Sequence, residues 1–306
     1  MKQLSSSYAC GRFSAAHTRK WLSLALCAGF VIFSTGCAKL QSRDEMNKGV
    51  QSYKNGKYAD AAQHFKQAMR LDPTNQNAQL YLATSYFTQW VPGAESADNK
   101  KNLEMARQTF QQVLDKDPNN SLALATMAAM SFNEASAKSN PQDKAAALED
   151  TKKWNERRIK ADPKDAEAYY YLGVIDWLQA DPAIKAARVQ EKANAENDKK
   201  KRGRHAAKLT PDENGPIEPD NVRNELKDKY GKQLDDGIAD LHKALDINSE
   251  NEDAMSYLNL LLRSKAALED SPEQAKADIA KANDWFNKSL ETKRIKATRP
   301  KKTEES

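Results

Sequence analysis

The sequence predicts an all-α solenoid, a row of antiparallel helix pairs, because short landmarks recur at a fixed step along the chain. Asp-Pro pairs stand 45 residues apart, at 72–73, 117–118 and 162–163. An apolar residue followed by a small one recurs at the same step, as Leu82-Ala83, Met127-Ala128 and Leu172-Gly173. The stretches between these landmarks are rich in Ala, Gln, Lys and Leu, which favour helix. Self-similarity at a period of this length is typical of helical repeat arrays.

The segment before the first Asp-Pro pair shows how one unit is built. In residues 58–69, Ala61, Phe65 and Met69 fall on one stripe of a helix, so this helix is amphipathic. The proline that follows cannot continue the helix, and it also disfavours helical geometry in the residue before it. The Asp-Pro pairs are therefore interpreted as structural corners and not as acid–base carboxylates.

These residues carry a resemblance to the tetratricopeptide repeat (TPR), a pair of antiparallel helices. The first repeat has the family's residue types at the family's spacing: Gly49, Tyr53, Gly56, Tyr58, Ala61, Phe65, Ala68 and Pro73. The second repeat does so with Leu82, Ala83, Tyr86, Ala106, Phe110, Leu114 and Pro118. The resemblance implies a right-handed superhelical solenoid of about five repeats with one long insertion. In such a solenoid, small residues (Gly49, Ala83, Ala128, Gly173) let paired helices approach, and Phe65, Phe110 and Phe286 fill the space between hairpins.

The predicted domain organisation follows from this register. The solenoid covers residues 45–294, divided into repeats at about 45–75, 76–120, 121–165, 166–250 and 251–294. The insertion, 181–232, lies in the fourth repeat. It is expected to begin with a helix at Asp181-Pro182 and to continue through a basic run, 199–204, and a proline-rich loop. The tail, 295–306, is charged and is expected to be disordered.

Three repeats depart from the basic plan. The second helix of the third repeat has Thr151, Asn155 and Arg158 where small or apolar residues are expected, which predicts a degenerate helix. The second, third and fifth repeats each carry 11 extra residues between their helices. The second helices of these three repeats are therefore predicted to begin early, and Asn140-Pro141 and Ser271-Pro272 are typical helix-start signals in the third and fifth.

Residues 1–36 have the pattern of a secretory signal. A basic stretch ends at Arg19-Lys20, and the 13 mostly apolar residues 21–33 that follow match a signal core and are short for a membrane span. Gly36-Cys37 then resembles the lipobox of bacterial lipoproteins, in which the cysteine becomes the lipidated N-terminus. Ordinary cleavage near Gly36 and retention as an uncleaved anchor are the alternatives. Residues 37–44 are expected to form a linker.

The lipoprotein resemblance implies a location. The chain would be lipid-anchored in the bacterial cell envelope, facing the periplasm, and Ala38 after the cysteine favours the outer membrane. Cleavage would remove Cys10 and Cys27, and lipidation would use the last thiol, which suits an oxidising compartment.

The charge of the chain excludes one class of partner. The formal net charge is +5, but residues 1–36 carry four bases and no acid, so the remainder has a net charge of only +1. No nucleic-acid partner is therefore expected. The basic run 199–204 is interpreted as a solvated loop, with contact to anionic lipid or cell-wall polymer as the alternative.

The sequence contains no recognisable catalytic or metal-binding motif, so neither an enzyme activity nor a cofactor is expected. Outside the signal only His64, His205 and His242 are present, and they form no spaced ligand set.

The resemblance places a partner-binding groove on the first helices of the repeats. Carried onto this chain, the groove positions are Met46, Val50, Tyr53, Leu80, Thr84, Phe87, Leu122, Ala129, Phe132, Tyr170, Val174 and Trp177. One column, Tyr53, Phe87, Phe132 and Trp177, is aromatic throughout and suits an apolar peptide or a partner helix. Packing of these rings in the protein's own core is the alternative.

The resulting hypothesis is a non-catalytic, lipid-anchored scaffold that binds another envelope protein or peptide. Three alternatives stay open. They are an accessory subunit of an envelope assembly or secretion machine, a substrate-delivery arm of an enzyme, and a rigid spacer.

Overall fold

The computed structural model describes residues 37–202 and 215–299, without the side chains of 198–202, and every regular element in these ranges is a helix. The first helix, α1, covers residues 37–54. The others are α2 (Tyr58–Leu71), α3 (Gln76–Gln89), α4 (Ala97–Lys116), α5 (Ser121–Ser136), α6 (Pro141–Ala161), α7 (Ala166–Arg202), α8 (Asp220–Ile247), α9 (Glu252–Ala266) and α10 (Pro272–Thr298). The predicted all-α class is confirmed. The signal segment, His205 and residues 300–306 lie outside the described residues.

The chain divides into two compact units, Met1–Val113 and Leu114–Ser306, with the division inside α4. In the first unit, α1 packs on α2. Two side-chain contacts join them: Ser42 Oγ donates to the carbonyl of Ala68 at 2.9 Å, and His64 Nδ1 lies 2.7 Å from Glu45 Oε2. Gly49 makes this approach possible, since a Cβ there would lie 2.5 Å from Phe65 Cε1.

The second unit consists largely of three hairpins. Helices α5 and α6, α7 and α8, and α9 and α10 pack in pairs, and α7 also contacts α6 and α9. The core between α7, α8 and α9 is apolar, with Leu234, Leu241, Leu258 and Leu261 all almost fully buried. In this unit the first helices α7 and α9 are neighbours, which brings distant parts of the sequence to one face.

The corners between hairpins share one geometry. Each is a four-residue turn whose last residue donates its backbone N–H to the carbonyl of the first, at 3.1 Å for Asn75 to Asp72 and 3.2 Å for Asn251 to Asn248. The side chain of the last residue then caps the next helix. Asn75, Asn120, Asp165 and Asn251 accept from the backbone N–H of Ala78, Ala123, Ala168 and Ala254 at 3.0–3.2 Å. The interpretation of the Asp-Pro pairs as structural corners agrees with this geometry.

The early helix starts are also confirmed. Asn140 Oδ1 accepts from the backbone N–H of Gln142 and Asp143, and Ser271 Oγ accepts from that of Gln274. In both helices a proline occupies the first turn.

The polar residues of α6 are buried and paired. Arg158 is 6% exposed and donates to Asp165 and Glu167, while Thr151 Oγ1 lies 3.0 Å from Ser131 Oγ. These residues make the third repeat depart from the family pattern, as expected, and α6 accommodates them in its buried side through hydrogen bonds.

Three local expectations differ from the structure. Residues 37–44, expected as a linker, form the first turns of α1. Pro182, expected to start a new helix, lies inside α7, which runs unbroken from Ala166 to Arg202. Residues 295–298, expected in a disordered tail, complete α10, where Lys296 pairs with Glu252 and the following Arg299 pairs with Glu250.

The residues of the insertion around the start of α8 pack within the second unit. Ile217 is fully buried and donates its backbone N–H to the carbonyl of Ala267 at 2.9 Å. Arg223 Nη1 donates to the carbonyl of Ile217 at 3.0 Å. Within the described ranges, no helix is both long enough and apolar enough to cross a membrane.

Candidate partner-binding surface

Five aromatic side chains of the second unit form a continuous chain of ring contacts across three first helices. Phe132 belongs to α5, Tyr170, Tyr171 and Trp177 to α7, and Tyr257 to α9. The ring centroids are separated by 5.3 Å (Phe132–Tyr171), 5.2 Å (Tyr170–Tyr171), 5.8 Å (Tyr170–Tyr257) and 5.6 Å (Trp177–Tyr257). We call these five residues the aromatic chain.

Each ring of the aromatic chain is half-buried. Tyr170, Trp177 and Tyr257 pack on the core of α7, α8 and α9, and Phe132 packs on a smaller cluster around Leu148 and Ile175. Their centroid separations and steep interplanar angles are those of favourable edge contacts between aromatic rings. The rings are therefore held by the core while part of each remains open to solvent.

Burial, assisted by neighbouring acids, favours the neutral form of the tyrosines in the aromatic chain. Burial, with the neighbouring Tyr257 and Asp253, raises the pKa of Tyr170 far above its ordinary value. Burial and Asp253 also raise the pKa of Tyr257. The ammonium of Lys185 lies 5.2 Å from the centroid of Trp177. The surface thus combines apolar ring area, neutral phenols and the ion pair of Lys185 with Asp181, whose charged atoms are 2.7 Å apart.

The structure separates the groove positions predicted in this unit. Leu122 is exposed, and Phe132, Tyr170 and Trp177 belong to the aromatic chain. Val174 is only 1% exposed, so its assignment to a groove was wrong. The reason is that Val174 lies on a side of α7 that its packing partners α6, α8 and α9 cover.

In the first unit, the predicted positions lie on α1 and α3 and all six are half-buried: Met46, Val50, Tyr53, Leu80, Thr84 and Phe87. Tyr53 connects the two helices, because its hydroxyl lies 2.8 Å from Thr88 Oγ1. Phe87 contacts the buried Trp90, with ring centroids 6.0 Å apart. Binding of a partner by these residues stays a prediction.

Two members of the aromatic chain, Tyr171 and Tyr257, were missed by the sequence analysis. A signal for them was present, since each directly precedes a leucine of the repeat register, Leu172 and Leu258. Tyr81 stands in the same place before Leu82. The repeat step applied to this position would have found all three tyrosines.

The remaining candidate residues that the structure describes lie on separate helices. Cys37 is exposed at the start of α1. His64 contacts Glu45, and the ring of His242 lies 5.5 Å from that of Trp285. Among the residues that the structure describes, no group of three or more His, Cys, Asp or Glu side chains could hold a metal ion.

Comparison with known proteins supports the TPR assignment for one segment. Residues 52–89 match the family model for the tetratricopeptide repeat. No curated protein matches the chain significantly.

The solved structures that match this chain have low sequence identity to this protein. MamA 41-end from Desulfovibrio magneticus RS-1 is 16% identical with a TM-score of 0.46, covering 84% of this chain and 98% of its own. TTC0263, a thermophilic TPR protein in Thermus thermophilus, is 15% identical with a TM-score of 0.40, covering 84% and 97%. These values carry no argument about function. The described part of this chain is thus an all-α array of helix hairpins, in which residues 52–89 are similar to the tetratricopeptide repeat.

Proposed function

We propose that this protein is a non-catalytic scaffold that binds a segment of another envelope protein on the aromatic chain. The observation that carries the proposal is the run of five half-buried rings in mutual contact on α5, α7 and α9. Rings that are fixed by a core lose little side-chain entropy when a partner covers them, and Trp and Tyr are enriched among residues that dominate binding energies.

The form of the surface favours an amphipathic helix or an extended peptide as the occupant. A helix places apolar residues along one stripe, and such a stripe could cover successive rings of the aromatic chain. The phenol groups of Tyr170 and Tyr257 would form hydrogen bonds with polar groups of the partner at the edge of that contact. Lys185, ion-paired with Asp181, lies at the Trp177 end.

The proposal includes a lipid anchor on Cys37 and a periplasm-facing place at the outer membrane. It is supported by the lipobox-like Gly36-Cys37, by Ala38, and by the exposed position of Cys37 at the beginning of α1. Two acyl chains are sufficient for stable membrane attachment, since each buried methylene contributes about 0.8 kcal/mol.

The anchor is tested by Cys37→Ala in the full-length chain, with Cys10→Ala as the control. We expect Cys37→Ala to lack the diacylglycerol mass in mass spectrometry and to leave the membrane fraction. The control should keep both properties. Membrane attachment that survives Cys37→Ala would contradict the proposed anchor.

Partner binding is tested by photocrosslinking in intact cells. A crosslinking amino acid at Trp177 or Tyr257 is expected to capture the same envelope protein, because both rings belong to one surface. A crosslinker at Val189, which is exposed on the same helix α7, is the matched control and should not capture it. Equal capture from all three sites, or none from the first two, would contradict the proposal.

The identity of the captured protein also decides between a two-protein scaffold and a subunit of a larger assembly or secretion machine. In the second case, several envelope proteins of one complex should be recovered from the Trp177 site.

A further inference from the structure

The beginning of α1 presents an exposed leucine and two exposed cations beside Cys37. Cys37, Leu40 and Arg43 follow one another at three-residue steps, so they lie along one side of the helix. Leu40 is 69% exposed. Lys39 and Arg43 are four residues apart, which makes them neighbours on the helix surface, and both are exposed. An apolar side chain accompanied by cations is a composition that suits contact with a membrane surface.

An open cavity of about 580 Å³ lies between this end of α1 and the corner that joins α2 to α3. Lys39 and Arg43 line it from α1, and Gln76 and Asn77 line it from the first turn of α3. The side chains of Gln76 and Asn77 are exposed amides, which can donate hydrogen bonds. The cavity thus has cations on one side and exposed amide donors on the other.

The two cations are available for a negatively charged ligand. Neither Lys39 nor Arg43 forms an ion pair or a side-chain hydrogen bond within the described part of the chain. Asp44, the acid that follows Arg43, instead pairs with Lys48, with its Oδ2 2.7 Å from the ammonium nitrogen. Asp72 is the one acid among the described residues that line the cavity. The lining therefore carries an excess of positive charge.

The distances along α1 fit the headgroup layer of a membrane in which Cys37 is anchored. A helix rises about 1.5 Å per residue, so Lys39 and Arg43 lie about 3 and 9 Å from Cys37 along the axis. The polar headgroup region of each leaflet is about 5–8 Å thick. Acyl chains on Cys37 enter the membrane at the inner edge of that region. A helix attached there holds both cations in or next to the layer of lipid phosphates.

We propose that this end of the first unit is a membrane-contact site that binds the phosphate of an anionic lipid. Lys39 and Arg43 contact the phosphate, Arg43 through the paired N–H groups of its guanidinium, and Leu40 inserts beside the acyl chains. The inference rests on the proposed anchor at Cys37, which brings the site to the membrane. It adds an orientation, because binding of a headgroup fixes how the first unit stands on the membrane, whereas acyl chains alone do not.

Hydrogen exchange on the protein purified from membranes tests this contact. The protein is reconstituted with vesicles of phosphatidylcholine alone and of phosphatidylcholine mixed with phosphatidylglycerol. Two basic residues near an anionic surface favour the bound state by about thirtyfold, so we expect exchange in residues 38–46 and 74–78 to be about tenfold slower with phosphatidylglycerol. The intact mass of the same sample shows whether Cys37 carries a diacylglycerol. The comparison of the two vesicles holds in either case, so failure of the anchor and failure of this inference are separate results.

The decisive variant is the double substitution Lys39→Ala with Arg43→Ala. We expect it to exchange equally fast in both kinds of vesicle while its melting temperature stays unchanged, because both side chains are exposed. The matched control, Lys54→Ala with Lys57→Ala, removes the same charge at the other end of α1 and should change the protection less than about twofold. Leu40→Gln should reduce the protection about threefold and keep its dependence on phosphatidylglycerol, since only the apolar part of the contact is lost.

Three results would overturn the inference. They are equal exchange of the unmodified sequence in the two kinds of vesicle, equal loss of protection in the two double variants, and the same protection from inorganic phosphate without vesicles.

Discussion

At the scale of single residues, Gly173 determines how closely α7 and α8 can pack. A Cβ at this position would lie 2.5 Å from Leu241 Cγ and 2.9 Å from the carbonyl oxygen of Gly237. Real Cβ atoms do not come this close to backbone atoms, so one of the two helices would have to shift. The small residue expected here from the repeat pattern is therefore required by the packing.

Gly173→Ala is expected to lower the free energy of unfolding by about 1–3 kcal/mol, the usual range for overpacking a core. The measurement is urea denaturation. Gly231→Ala is the matched control, because its Cβ would meet only Lys227 Cγ at 3.5 Å inside α8. The control should be neutral or more stable by up to about 1 kcal/mol, since alanine favours helix. Similar losses in both variants would contradict the close approach.

Asp240 makes the stability of the second unit depend on pH. Burial, together with the nearby acids Asp176 and Asp236, raises its pKa to about 6, while Lys152 opposes them. Glu156 also faces this group. Because the folded state holds the proton more tightly than the unfolded state, this group favours folding at low pH. That contribution is lost as the pH rises through about 6.

Asp240→Asn should therefore raise the free energy of unfolding near neutral pH and weaken its change between about pH 4 and 6, the range between the ordinary and the folded pKa of this group. The rise in pKa from the ordinary 3.8 to about 6 corresponds to about 3 kcal/mol, and partial exposure of the side chain reduces the expected gain to about 1 kcal/mol. Thermal melts across this pH range provide the measurement. Asp228→Asn, at an exposed position of the same helix, is the control and should leave the profile unchanged.

At the scale of elements, the corner turns fix where the first helices begin. Their capping side chains satisfy a backbone N–H of an alanine that is fully buried in each case, at Ala78, Ala123, Ala168 and Ala254. Since water cannot reach these positions, loss of the cap leaves a buried donor without a partner.

Asn120→Ala is expected to destabilise the protein by about 0.5–2 kcal/mol, the range observed for lost N-caps. Asn119→Ala changes the neighbouring exposed asparagine and should alter stability by less than about 0.5 kcal/mol. Chemical denaturation of the two variants side by side tests this. An equal effect would mean that the cap of α5 contributes nothing of its own.

The path of α7 shows where element prediction from sequence was limited. A proline inside a helix costs about 3 kcal/mol, which is why Pro182 was expected to mark a helix start. Ala180 and Ile184, on either side of it, are buried in the core of α7, α8 and α9. Burial of the flanking residues offsets the local penalty, and no pattern within α7 itself contains this information.

At the scale of the whole molecule, the two compact units should respond separately to damage. Phe65 is fully buried in the first unit and Leu241 in the second. In repeat proteins each hairpin depends mainly on its neighbours, so stability is distributed and not shared equally by all parts.

Phe65→Ala is therefore expected to lower hydrogen-exchange protection mainly in residues 37–113, and Leu241→Ala mainly in 114–299. Each truncation should cost about 3–5 kcal/mol locally, through lost burial and the cavity that remains. Exchange measured by mass spectrometry on both variants gives the comparison. A uniform loss of protection along the chain would show that the units unfold together.

The sequence alone determined the features that depend on residues within a few positions or on one repeat step. These are the all-α class, the corners, the early helix starts at Pro141 and Pro272, and the small residue at Gly173. Each follows from backbone hydrogen bonding or from a spacing that recurs, so local order is enough to predict it.

Only the tertiary structure decided which side chains are buried and which are shared between helices. It enclosed Val174 and joined Tyr170 and Trp177 through Tyr257. It left Phe286 of the last described hairpin 45% exposed, although this side chain was expected to fill a space between hairpins. Burial of a side chain is set by atoms from helices that are distant in sequence. For that reason the repeat pattern predicted the hairpins, while the three-dimensional packing of α7 and α9 produced the surface on which the proposed function rests.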